Sequence, residues 1–243
     1  MTTDRHPKAL STSVGGATIT WVAKGSGMIE PNMATMLAYI FTDAAFDAVT
    51  LDRMLRAAVD LSFNMLSVDT DTSTSDTCAM LANGHAGVVD EGEFVDALIA
   101  GCIRMTEILA RDGEGATRMI RASVRGALNN YEAKRVAKSL VNSPLVKTMV
   151  AGADPNVGRL LMAVGKCFDC TITPANTDAW INGHPVVVGG RRLDFEDAKV
   201  RATLRSDVVE LEVSLGVGNG EARAYGCDLT AGYVEENAAY YSS

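Results

Sequence analysis

Ala17-Thr18-Ile19-Thr20-Trp21-Val22-Ala23, followed after a glycine-bearing loop by Met36-Leu37-Ala38-Tyr39-Ile40-Phe41, decides the fold class of this chain. The first run is rich in β-branched and aromatic residues behind Gly15-Gly16 and reads as a strand. The second is short and apolar and reads as a buried strand. Helical spacing then takes over. Leu51, Leu55, Val59 and Phe63 recur every four residues and share a face, as do Phe94, Leu98, Cys102 and Met105. Asp90, Glu91 and Glu93 sit at the start of the second helix, where the helix dipole favours acids.

Further along, residues 119–124 read as a strand, and residues 130–141 and 156–165 as helices separated by a break around Pro144. Pro185 to Val188 forms a short strand. In residues 208–215 the alternation of Val209, Leu211, Val213 and Leu215 gives a half-buried strand. Gly218-Asn219-Gly220 is a turn signal, so residues 222–229 are expected to return against 208–215 as a hairpin. Helices and strands mixed in this way predict a layered α+β fold.

Bulk properties narrow the function classes. The chain has 243 residues, 30 acidic against 22 basic, and a formal net charge of −8. Nucleic-acid binders need a basic footprint, so that class is excluded. No apolar run approaches a membrane span, and the N-terminus carries no apolar signal segment. Five scattered cysteines fit reduced thiols and a cytoplasmic protein better than a disulfide framework.

Three segments could carry chemistry. Lys24-Gly25-Ser26-Gly27 has the lysine on the wrong side of the glycines for a phosphate loop and reads as a turn between strands. The run Ser67 to Thr77 holds three carboxylates among hydroxyls, but Thr74 stands where a calcium loop needs glycine and Met80 where it needs glutamate. The plainer reading is a solvated turn in which Asp76 or Thr77 caps a helix beginning at Cys78-Ala79-Met80. Cys167-Phe168-Asp169-Cys170 lacks the second ligand pair that zinc requires, and no metal is expected.

Strung together, short motifs resemble the bifunctional ornithine acetyltransferase and glutamate N-acetyltransferase of arginine biosynthesis. They include Lys24-Gly25-Ser26-Gly27-Met28, Pro31-Asn32-Met33-Ala34-Thr35-Met36-Leu37, Asp71-Thr72-Ser73-Thr74, Leu81-Ala82-Asn83-Gly84, Asp112-Gly113-Glu114-Gly115-Ala116-Thr117, Gly152-Ala153-Asp154-Pro155-Asn156 and Cys227-Asp228-Leu229-Thr230. The resemblance runs through the whole chain.

It implies a layered α/β/β/α sandwich and self-cleavage between Ala34 and Thr35. Residues 1–34 would then be the end of an α chain, and 35–243 a β chain starting at its nucleophile. Acetyl transfer from N-acetylornithine to glutamate through acetyl-Thr35 follows. No cofactor is implied, and acetyl-coenzyme A stays open as a further donor. Thr2 (with Thr3 as the alternative), Lys24, Glu114, Asn237 and Ser242 would bind substrate with Thr35, in a heterotetramer of two α and two β chains. The family carries a longer region before the nucleophile, including a Thr-Gly pair of the oxyanion hole. Its absence makes an N-terminally truncated, inactive fragment one alternative, and an amide hydrolase or aminopeptidase of the same fold another. Departures from the pattern are Thr70, Ser75, Val157 and Tyr241.

Overall fold

The computed structural model describes residues 3–30 and 36–238. They fall into two compact units, divided after Gly113.

The first unit is built on a four-stranded sheet in the order β1-β2-β3-β4: Lys8–Val14, Ala17–Lys24, Leu37–Ala44 and Thr77–Gly87. The first three run antiparallel in sequence order, and β4 lies parallel to β3. A parallel neighbour requires a crossover, here helix α1 (Ala48–Leu61) with the 3-10 turn Phe63–Met65. Asp47 caps α1 by accepting the Val49 and Thr50 amides at 2.9 and 3.0 Å. Helix α2 (Glu91–Arg111) is capped by Asp90, as its acidic start predicts.

Alternation in β2 buries Ala17, Ile19, Trp21 and Ala23 beneath α2. The Trp21 indole N–H reaches Cys102 Sγ at 3.4 Å, and the ring lies flush on Gly101, where an added Cβ would stand 2.1 Å from it. The opposite sheet face exposes Val22, Tyr39, Phe41 and Leu81, which the register sets in adjacent rows.

The second unit holds a six-stranded sheet in the order β10-β5-β9-β6-β7-β8. Its strands are β5 (Met119–Ala127), β6 (Asp178–Ile181), β7 (His184–Val188), β8 (Arg191–Arg192), β9 (Val208–Ser214) and β10 (Gly220–Cys227). Helix α3 (Asn130–Asn142) covers β5 and β10 and packs on α4 (Pro144–Ala151) and α5 (Val157–Gly165). The other sheet face is polar: Arg121 pairs with Glu210, and the Arg125 guanidinium lies 4.8 Å over the Trp180 ring. Short helices α6 (Asp197–Thr203) and α7 (Ala231–Ala238) complete the unit. Among the described residues no helix is long and apolar enough to cross a membrane.

The layered α+β class is as expected, with two corrections. Residues 77–82 are strand β4, not a capped helix; Thr77 N–H donates to the Met36 carbonyl at 3.0 Å and starts the ladder with β3. A five-residue apolar run fits either element, and here the free edge of β3 decides it. Strands β9 and β10 form no hairpin, because β5 lies between them, parallel to β9 and antiparallel to β10. The connection crosses the end of β5, where the Val217 and Gly218 amides both donate to the Gly126 carbonyl. Helix α3 ends at Asn142, ahead of Pro144 as expected, and Pro144 then opens α4 behind the Ser143 cap, a position whose missing N–H costs nothing.

Candidate functional site

The acidic loop after the 3-10 turn has a definite job. Asp69 accepts the Met28 amide at 2.6 Å, the Ile29 amide at 2.9 Å and the Asp71 amide at 3.3 Å. Val68 N–H donates to the Ile29 carbonyl (2.7 Å), Glu30 N–H to the Asp71 carbonyl (3.0 Å), and Thr72 Oγ1 to the Glu30 carbonyl (3.0 Å). With the Thr77–Met36 bond, this loop grips the chain on both sides of residues 31–35. Met28 is held at φ +50, a conformation that L residues adopt only under constraint. Burial pushes the Asp69 acid up, with its three amide donors pulling the other way. The Asp69 carboxylate is thus engaged with backbone amides, and among the described residues no group of three or more His, Cys, Asp or Glu could hold a metal.

Lys24, the last residue of β2, pairs in register with Leu37 and so lies at the same end of the sheet as Met36 and Thr77. The loop behind it is fixed by a buried ion network. Lys8 Nζ donates to Asp4 Oδ1 at 2.6 Å and to Asp112. Asp4 also accepts the Gly25 amide (2.8 Å), Asp112 accepts the Arg5 amide (3.1 Å), and the Asp112 carbonyl accepts Ser26 Oγ–H (2.5 Å). Burial by itself would raise the Asp4 acid, but Lys8 and the Gly25 amide together hold it below the ordinary value. Sequence reading missed this network. Its signals were the i,i+4 spacing of Asp4 and Lys8 and the place of Asp112 just before Gly113-Glu114-Gly115.

In the second unit Glu114 and Asn237 come together: Asn237 Nδ2 donates to Glu114 Oε2 at 2.8 Å and to the Tyr233 carbonyl at 2.9 Å. Helix α7, which carries Asn237, sits directly on Gly115. Thr230 Oγ1 donates to the Gly115 carbonyl at 2.6 Å, and Gly115 has φ +65. Beside it, buried Asp228 accepts the Thr117 and Arg118 amides (2.8 and 3.0 Å) and Thr117 Oγ1–H (2.5 Å). The strings Asp112 to Thr117 and Cys227 to Thr230 therefore meet through Asp228 and Thr230. Of the remaining expected site residues, Thr2, Ala34, Thr35 and Ser242 lie outside the described residues. Cys167 and Cys170 are free thiols, Cys167 buried and Cys170 less so.

Two units, each a mixed sheet with helices packed on it, define a layered α+β protein. The chain belongs to the ArgJ family, whose model matches residues 1–242. It is 47% identical over 245 residues to a glutamate N-acetyltransferase of Streptomyces clavuligerus, covering 99% of this chain and 62% of that one. An arginine biosynthesis bifunctional ArgJ protein of a Nostoc species is 50% identical over 242 residues, with the same shares covered. The chain thus spans about three fifths of the length of these relatives. A crystal structure of an arginine biosynthesis bifunctional ArgJ protein from Bacillus halodurans superposes with a TM-score of 0.82 at 38% identity. That match covers 85% of this chain and 100% of the other.

Proposed function

We propose that this chain belongs to an acyltransferase that moves an acetyl group from N-acetylornithine to glutamate, with Thr35 as the acyl carrier after cleavage of the Ala34–Thr35 bond. The observation that carries the reading is whole-length membership of a family with relatives named as glutamate N-acetyltransferase and bifunctional arginine biosynthesis proteins. These names favour transfer over the amide-hydrolase alternative. The loop that grips residues 28–30 and 36 supports it further, because a backbone bond is cut cleanly only where the chain around it is held. The Bacillus halodurans chain is covered in full by 85% of this one, about the share that residues 35–243 make of it.

The chemistry follows from the residue types. Thr35 Oγ adds to the Ala34 carbonyl carbon, the peptide C–N bond breaks, and water hydrolyses the ester. The freed Thr35 α-amine, of reference pKa about 7.7–8.0, is the base for its own hydroxyl in each transfer. N-acetylornithine acylates Thr35 Oγ and ornithine leaves; the glutamate amine then takes the acetyl group. In this reading Lys24 and Thr2 meet substrate carboxylate and Ser242 adds a hydroxyl, while Glu114, steadied by Asn237, takes the ornithine ammonium. The segments 1–34 and 35–243 stay associated in a heterotetramer of two α and two β chains.

Intact mass measurement of the purified chain tests the nucleophile directly. Species corresponding to residues 1–34 and 35–243 are expected; a chain that stays whole removes Thr35 from the role. For Glu114, hydrogen bonds to a charged group contribute about 1.5–3 kcal/mol. Glu114→Gln is accordingly expected to raise the KM for N-acetylornithine about 10- to 100-fold, with kcat changed less. Unaltered kinetics would assign the ammonium to another group.

A further inference from the structure

Asp228 joins the two segments that carry Glu114 and Asn237. It lies between β10 and α7, and its side chain is 0% exposed. Its two oxygens divide the contacts. Oδ1 accepts the Thr117 and Arg118 amides, and Oδ2 accepts Thr117 Oγ1–H. The Arg118 guanidinium stands 3.8 Å from Oδ2 but donates to the Val150 and Ala151 carbonyls at the end of α4. The backbone around Asp228 is itself anchored. Its amide donates to the Arg118 carbonyl (3.0 Å), and buried Lys147 donates from Nζ to the Cys227 carbonyl (2.5 Å). A buried carboxylate held by several fixed donors makes a rigid clasp.

The clasp acts on a short bend. Residues 114–117 lead into β5, which starts at Met119. Asp228 pins the bend at Thr117, and Thr230 pins it at Gly115. The Thr230 hydroxyl donates to the Gly115 carbonyl and accepts the Gly232 amide at the start of α7 (3.1 Å). Glu114 begins the bend, 9% exposed, and its carboxylate accepts Asn237 Nδ2 from near the far end of α7.

We propose that Asp228 is a positioning residue for the ornithine ammonium, an inference that rests on the reading of Glu114 as the group that takes it. Asp228 does not meet substrate. It fixes the Thr117 and Arg118 amides, and through the bend the place of the Glu114 carboxylate, so that the ammonium meets an acceptor already aimed. Preorganised groups lose little freedom when a ligand arrives, and a small misplacement made at a distance is costly. Geometry rather than charge carries this role. In Asp228→Asn the amide oxygen keeps both backbone donors, while Nδ2 donates to Thr117 Oγ1, a hydroxyl that accepts as well as donates. In Asp228→Ala all three donors lose their acceptor at once.

The test is ornithine binding to the full chain by calorimetry, for wild type, Glu114→Gln, Asp228→Asn, Asp228→Ala and the Glu114→Gln/Asp228→Ala double variant. Asp228→Ala is expected to raise the ornithine Kd at least about 10-fold, the loss for a hydrogen bond to a charged group. Asp228→Asn should stay close to wild type. In the Glu114→Gln background Asp228→Ala should add little, because residues acting through one contact are not additive. A purely structural loss would weaken binding by the same factor in both backgrounds. That result overturns the proposal, as does Asp228→Ala with wild-type affinity, or Asp228→Asn as weak as Asp228→Ala. If Asp228→Ala does not fold, Thr117→Val, which removes only the Oδ2 hydrogen bond, takes its place in the cycle. It should then weaken ornithine binding in the wild-type background and not in Glu114→Gln; equal effects, or none, overturn the proposal. A wild-type chain that binds no ornithine, or a Glu114→Gln chain that binds it as wild type does, overturns the Glu114 reading and this inference with it. With Glu114→Gln weakened and Asp228→Ala not, only the positioning role falls.

Discussion

Replacing Lys8 with methionine is expected to destabilise the first unit by about 3–5 kcal/mol, the range for breaking a buried ion pair from one side. The Lys8 ammonium is fully buried and is shared by two carboxylates that are themselves 4% and 3% exposed. Its removal leaves the buried Asp4 and Asp112 carboxylates without a counter-charge. Asp4 keeps the Gly25 amide and Asp112 the Arg5 amide, which is too little for two unneutralised charges. Denaturant unfolding monitored by the Trp21 signal would measure the loss. The pH dependence gives an independent sign. Asp4 titrates below its ordinary value in the wild type, so its contribution is complete above the unfolded carboxylate value and is lost as pH falls through the folded one. In Lys8→Met the two acids are stranded, and acidification should restore stability instead. Replacing all three residues by apolar ones should recover much of the loss, since a packed apolar trio can match a buried ion triad. A Lys8→Met chain as stable as wild type at pH 7 would show that the network is not holding the Gly25 loop.

The second large effect is expected at Gly115. A Cβ there would stand 2.1 Å from the Tyr233 nitrogen and 2.4 Å from the Gly232 carbonyl carbon, both backbone atoms of α7. Backbone cannot step aside as a side-chain tip can. At φ +65 an alanine also occupies the left-handed region, at a cost of roughly 1–2 kcal/mol. Overpacking typically adds about 1–3 kcal/mol. Gly115→Ala must therefore lift α7 from its seat or strain residues 114–117, and either lengthens the 2.8 Å Asn237–Glu114 bond. Faster amide exchange across residues 231–238 and a lower melting temperature are the expected readouts. If acetyl transfer is as proposed, KM should rise as it does for Glu114→Gln. Unchanged exchange in α7 would mean that the contact at Gly115 does not hold the helix.

Local periodicity carried most of the fold. The strand at residues 17–23, the apolar run from Met36, the two long helices and the alternation around Leu211 all stand where their patterns put them. What failed was pairing. Gly218-Asn219-Gly220 is a sound turn signal, but a turn says nothing about which strand the chain turns towards. Strand β5, nearly a hundred residues earlier, supplied both partner edges. Residues 77–82 failed for a related reason, since a short apolar run takes its type from the edge it meets.

The candidate site divides in the same way. Lys24, Glu114 and Asn237 came from matched motifs, and so did the strings around them. The physical work of those strings could not be read from spacing, because Lys8 acts on a residue 104 positions away and Asp228 on one 111 positions away. Asp76 or Thr77 was read as the cap of a helix, and the strand that begins at Thr77 removes that role from both.

The place of β5 between β10 and β9 also sets an order of assembly. Strands β1, β2 and β3 each pair with a sequence neighbour, so this ribbon can form as it leaves the ribosome. Strand β5 emerges early, carrying Ile120, Ala122 and Val124 for the core, yet its partners begin only at Val208 and Gly220. Until residues 208–227 are made, both of its edges stay open. Closure of so long a loop slows folding more than it weakens the finished fold. The second unit thus closes its sheet late, and its open strand edges are exposed to wrong pairing until then.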